Sequence, residues 1–288
     1  NVAVGYEPGV GVTTGERNIL IGGLAGDALT TGVRNVAIGH QALTTDTKGQ
    51  RSIAVGHNAL SNQNFTTATN GFNTAVGHEA GAAVSTGVEN TLIGGLVGDA
   101  LTDADANVAM GYAALSSDTL GSRSTAIGAG ALNEQNFTTA TNSNNTAVGY
   151  TAGNRVSTGT DNTLIGSLAG DALTAAFENT AVGESALGSD TLGRRSVAIG
   201  SGALQTQNFT TATNSYNVAV GYDAGVLVTT GIQNTLIGGL TGDALTTGKE
   251  NVALGYAALT ADDVGNHSTA LGYAALQNQN FATETNSN

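Results

Sequence analysis

A five-residue string recurs along the chain. It has a polar Asn or Ser, then Val, Ile or Thr, then Ala or Leu, then an aliphatic residue or Met, then Gly. It begins at residues 1, 18, 35 and 52, at 73, 90, 107 and 124, at 145, 162, 179 and 196, and at 217, 234, 251 and 268. The steps are 17, 17, 17 and 21 residues, four times over. Positions two and four share one face of an extended segment, and the Gly at position five argues against a sustained helix. Each turn is therefore expected to carry a short strand. A second short strand is expected around the following "xxAL" or "xxAG". Gly15, Gly32, Gly87 and Gly231, three residues before the next string, are expected to turn corners at positive φ.

Sixteen such turns predict an all-β fold, a parallel β-solenoid of the β-roll kind. Stacked at ~4.8 Å per rung, they would form one rod of ~77 Å. The larger period is 72 residues, giving repeats 1–72, 73–144, 145–216 and 217–288. The chain starts in mid-pattern at "NVAVG", with no signal peptide, and reads as a segment of a longer repetitive fibre. Position one is Asn twelve times and Ser at Ser52, Ser124, Ser196 and Ser268, which predicts a ladder of side-chain hydrogen bonds.

Position three lies opposite positions two and four and is never polar. It is Ala3, Leu20, Ala37, Ala54, Ala75, Leu92, Ala109, Ala126, Ala147, Leu164, Ala181, Ala198, Ala219, Leu236, Ala253 and Ala270. A strand apolar on both faces needs a cover on each. The expectation is that one face fills the coil's own core and that position three meets identical chains in an oligomer. The four leucines would then act as plugs near a shared axis.

The 21-residue turn contains "NFTTATN" at 64–70, 136–142 and 208–214, and "NFATETN" at 280–286. Phe65, Phe137, Phe209 and Phe281 could offer exposed contacts on these loops, or fold back to hold the loops down.

Composition narrows the chemistry. Aromatics are 5% and charged residues 11%, so the chain must bury small groups over a long, regular surface. A net charge of −13 argues against a nucleic-acid partner, which would need Lys and Arg clusters. Without Cys there is no disulfide or zinc-thiolate chemistry, and no apolar run is long enough to insert in a membrane. No cofactor is expected, with calcium as the one candidate. Asp27, Asp99, Asp171 and Asp243 recur in "GDAL", and Asp46, Asp118, Asp190 and Asp263 follow one turn later. Such pairs could seed a calcium site only with further oxygens from carbonyls and water. His40 and His57 share a position in adjacent turns and could stack, but all four histidines, His78 and His267 included, are read as solvated surface, and no histidine metal site is expected. No enzyme is expected. An ice-binding solenoid stays a minor alternative, because position two is Thr in half the turns while position four is not.

The strings "NTAVGHEAG", "STAIGAGAL" and "SVAIGSGAL" resemble the head repeats of YadA-like trimeric autotransporter adhesins. Similar "NTAVG" arrays look like those of phage tail fibres. The resemblance implies a left-handed parallel β-roll, a homotrimer, and display outside a bacterial cell against host matrix, glycan or another cell surface. On that basis the chain is an adhesive or structural extracellular fibre segment. The alternative is the shaft of a phage tail fibre used in host attachment, on the virion tail. The 17- and 21-residue turns are longer than is usual in that family, and no anchor, neck or stalk is present in this sequence.

Overall fold

The computed structural model describes residues 1–281 and 283–287. It is all-β, a parallel β-solenoid of sixteen turns, with no helix among the described residues. The turns fall into two compact units, Asn1–Asn144 and Asn145–Asn288, each made of two 72-residue repeats. The first unit stacks eight three-residue strands, from Val2–Val4 to Thr125–Ile127. The second stacks eight more, from Thr146–Val148 to Thr269–Leu271. Every pairing is parallel and in register, so each position meets its own equivalent: Ile19 meets Val36, Leu20 meets Ala37 and Ile21 meets Ile38. The 21-residue turn keeps this register, with Ala54 opposite Ala75.

Around "xxAL" and "xxAG" the chain turns through left-handed backbone, and the only further strands among the described residues are two-residue ones at and before the insertions, such as Gly49–Gln50 and Thr69–Asn70. In one turn Gly94, Leu96, Gly98 and Ala106 have φ of 142°, 53°, 53° and 57°. Left-handed residues other than Gly are costly, roughly 1–2 kcal/mol each. They persist because the ladder of parallel bonds continues through the corner. Gly94 N donates to Val76 O at 2.8 Å, Leu96 N to His78 O at 2.9 Å and Gly98 N to Ala114 O at 3.0 Å. The expected strand around "xxAL" is therefore corrected to a run of tight turns. Gly15, Gly32, Gly87 and Gly231 are corrected too: none has positive φ. They are glycine because a Cβ would lie 2.3–2.6 Å from a carbonyl oxygen of the next rung.

The largest correction concerns position three. Ala3 on the first rung is exposed, but the other fifteen position-three side chains are at most 2% exposed within this single chain. They face the interior of their own coil, so they are not the oligomer interface. Positions two and four point outward, and none of them is buried. The leucines plug their own coils. Leu92 fits because glycine stands at Gly81 and Gly98, where a Cβ would approach its side chain to 2.7–2.9 Å. In the two following turns position three is Ala109 and Ala126, and interior Leu115 and Leu132 take up the space. Interior volume is thus shared between two columns, large in one where it is small in the other.

The Asn ladder is present, with a geometry that ties side chain to backbone. Asn90 Oδ1 accepts from Asn107 N at 3.0 Å, and Asn90 Nδ2 donates to Ala104 O at 2.7 Å. All the ladder residues of the inner rungs are buried.

Two substitutions test this interior. Leu92→Ala should destabilise by roughly 2–5 kcal/mol, the usual cost of emptying a packed leucine site. Ala109→Leu should cost about 1–3 kcal/mol by overpacking against Leu115. Denaturant unfolding at several protein concentrations checks both. A cost that is independent of concentration locates the leucine within one coil. Asn90→Ala removes the four buried bonds of that side chain and leaves the Asn107 amide and the Ala104 carbonyl unpaired, at about 1–3 kcal/mol for each group. The same unfolding series reads that loss.

Candidate functional site

The outward face of each sheet is a ribbon of β-branched and aliphatic side chains. In the first unit Ile19 and Ile53 are each 39% exposed and Met110 is 42% exposed. In the second, Val252, Leu254 and Leu271 are 45%, 44% and 73% exposed. Beside this ribbon, one residue after the position-five Gly, runs a column with exposed tyrosines. These are Tyr6 and Tyr112 in the first unit and Tyr150, Tyr222, Tyr256 and Tyr273 in the second. Tyr256 and Tyr273 stack, with ring centroids 5.7 Å apart. The sequence pattern separated position three from positions two and four but assigned the coil interior to the wrong face.

The insertion loops fold back. Thr69–Asn70 pairs with Gly49–Gln50, Thr141–Asn142 with Gly121–Ser122, and Thr213–Asn214 with Gly193–Arg194. Phe65, Phe137 and Phe209 are only 5–6% exposed, and Phe281 is half-buried. Of the two readings the structure bears out the fold-back and corrects the exposed contact: an insertion of four residues is too short to lift the rings off the coil. What the loops show to solvent is Thr66, Thr67 and Ala68 and their equivalents in the second and third repeats.

The aspartates proposed as calcium partners explain how the loops are held. Asp46 is fully buried. It accepts from Gly49 N at 2.9 Å, Phe65 N at 3.1 Å and Gln63 Nε2 at 2.7 Å. Asp118 and Asp190 repeat this arrangement with Phe137 and Phe209. In the fourth repeat the equivalent is Asp262, which accepts from Gly265 N and Gln279 Nε2. Asp263, the residue expected there, is instead a neighbour with one buried carboxylate oxygen that has no hydrogen-bond partner. Asp46, Asp118 and Asp190 are thus loop anchors, and the proposed pairing with Asp27, Asp99 and Asp171 is corrected. Asp27 takes the Thr44 hydroxyl, while Asp99 and Asp243 each keep a buried oxygen without a hydrogen-bond partner.

The same network accounts for serine at position one of every fourth turn. Gln63 donates to Ser52 Oγ at 3.1 Å and accepts from Asn73 Nδ2 at 2.8 Å, filling the gap that the insertion opens in the ladder. The glutamine was missed in sequence. Its signal was a second residue type, at Gln63, Gln135, Gln207 and Gln279, recurring with the Ser.

The histidines are brought together more than the sequence reading allowed. His40, His57 and His78 form one stack, with centroid spacings of 5.4 and 5.2 Å. His78 escaped notice because the 21-residue step separates it from His57. His267 lies apart, 3.0 Å from Glu250.

No protein-family model, curated protein or solved structure matches the chain. Among the described residues, no helix is long and apolar enough to cross a membrane.

Burial pushes the Asp46 and Asp190 carboxyls up, against the opposing pull of their hydrogen bonds. A native carboxyl raised above its unfolded value holds its proton more tightly than the unfolded chain does. Its stabilising contribution is complete below the unfolded value, ~3.9, and is lost as pH rises through the native one. The unfolding midpoint should therefore fall as pH rises through the window above ~3.9. Combining Asp46→Asn with Asp190→Asn should flatten that slope; the check is denaturant midpoint against pH for parent and double variant.

Proposed function

We propose that this chain is a structural and adhesive element of an extracellular fibre. It is a stiff, repetitive β-roll that self-associates and presents its surface to host matrix, glycan or another cell surface. The trimer of the YadA-like roll is the assembly proposed, with the outside of a bacterial cell as its place. The shaft of a phage tail fibre is the second reading, favoured by the same tandem regularity.

The observation that carries the proposal is the outward ribbon. Soluble monomers rarely leave contiguous apolar patches beyond a few hundred square ångströms bare. Here every turn adds two outward side chains from Val, Ile, Leu, Met or Thr, with no charge among them. Such a face suits sheet-on-sheet packing between identical chains. Chemistry in a pocket has less support. Two surface depressions, of about 220 and 290 Å³, fall below the ~300–1,000 Å³ usual for small-molecule sites. The first is lined by Glu184, Ser185, Ser201, Gly202, Gln205, Tyr222 and Asp223, an open and polar set.

Sedimentation equilibrium tests the assembly. A trimer is expected, and replacing outward Val108 and Met110 together by lysine should dissociate it while the β circular dichroism persists. A stable, soluble monomer of the parent chain would overturn the self-association.

A further inference from the structure

We propose that His57, His78 and Glu79 form a site for a divalent transition-metal ion of the zinc, copper or nickel class, with His40 at its edge. Two imidazoles and a carboxylate are the donor set of borderline ions, whereas calcium and magnesium select oxygen alone. The fold builds the set by stacking. Ile38 pairs with Val55 and Val55 with Val76, so the residues two places on, His40, His57 and His78, share one column. The His57 and His78 rings lie 5.2 Å apart at an interplanar angle of 8°. Glu79 follows His78 in left-handed backbone, φ 54°, and its Oε1 lies 3.9 Å from His78 Nε2.

One donor atom from each of the three residues falls within 4.8 Å of the other two. A tetrahedral ion with bonds of ~2.0–2.1 Å wants its donors about 3.3 Å apart. The donors must therefore close by about 1.5 Å, a movement that side-chain rotation supplies at exposed positions. Both histidines are exposed and Glu79 is half-buried, so the rings close by turning out of their stack on the solvent side. Three protein ligands leave a coordination position for water or for His40.

Glu79 brings a carboxylate to the two imidazoles. The trio also occurs once, whereas the structural residues recur in every repeat. The places of His78 and Glu79 are taken by Tyr6 and Glu7, Tyr150 and Thr151, and Tyr222 and Asp223 elsewhere. The coil does not require histidine there. A bound ion would clip together the two rungs on either side of the first insertion.

The test is calorimetric titration of Zn²⁺ into the whole, chelator-treated chain at neutral pH. One Zn²⁺ per chain is expected, with affinity lowered at least ~tenfold by His57→Ala or Glu79→Gln. His78→Tyr keeps a residue type that this column already holds, so it should fold, as circular dichroism would verify, and lose the ion. Electron paramagnetic resonance of the Cu²⁺-loaded chain should show coupling to two imidazole nitrogens. Absence of saturable binding at millimolar Zn²⁺, or binding unchanged in His57→Ala and His78→Tyr, would overturn the site.

Discussion

Every side chain in this coil sits on top of its own equivalent, one strand spacing of ~4.8 Å away. That constraint decides which residue types a column can hold. The position-five Gly is required twice over. Its φ lies between 123° and 144° throughout, and a Cβ at Gly77 would fall 2.1 Å from the Gly94 carbonyl oxygen. Asn at position one is self-complementary, since it accepts from one backbone amide and donates to one carbonyl. Like charges are poorly suited to stacking, which accounts for a composition with 11% charged residues. Charges that do share a column, such as Arg17, Arg34 and Arg51, are few, and some find a different neighbour. Arg51 lies over the Phe72 ring at 5.5 Å, and Arg195 pairs with Glu178 at 2.6 Å.

The insertion shows how a regular coil absorbs an irregularity. Four extra residues break the spacing of the Asn ladder, and a buried carboxylate-amide network closes the break. The cost is a desolvated Asp in each repeat. It is offset by two backbone N–H groups and a glutamine amide, each of which would otherwise be buried unpaired. Gly49 belongs to the same solution, because a Cβ there would sit 1.9 Å from Asp46 Oδ2. Ser143 and Ser215 extend the network, with hydroxyls 2.5 Å from Ser124 and Ser196.

The turn length, the strand and the ladder were legible because internal repetition displays one position sixteen times. The direction of the strand's faces was not. Alternation separates two apolar faces without saying which is inside, and the small size of Ala was taken as a sign of contact between chains. The relevant clue was volume. A coil closed by 17 residues has a narrow interior, and at position three Ala or Leu suits it better than a pair of β-branched residues at positions two and four. The loop anchors were half legible: Asp46, Asp118 and Asp190 stood out, but as partners of the wrong residues. Their true partners, Phe65 N and Gln63, lie 19 and 17 residues away, a distance that only the stacked register brings together.

Because the interior is satisfied within each coil, the outward columns are free to vary. Substituting Tyr by His or Ser one place after the Gly changes neither the ladder nor the leucine plugs, and this column holds all three together with Gly, Ala and Glu. The buried columns at positions one and three, by contrast, hold two residue types each, Asn or Ser and Ala or Leu. Stability and surface chemistry are therefore carried by different positions of the same short string. Positions two and four keep an uncharged face of Val, Ile, Leu, Met and Thr through every turn. The variable column beside it is where a particular ligand would be distinguished from others. The His57, His78 and Glu79 group is an instance of that second kind, a local chemistry laid on a scaffold that does not depend on it.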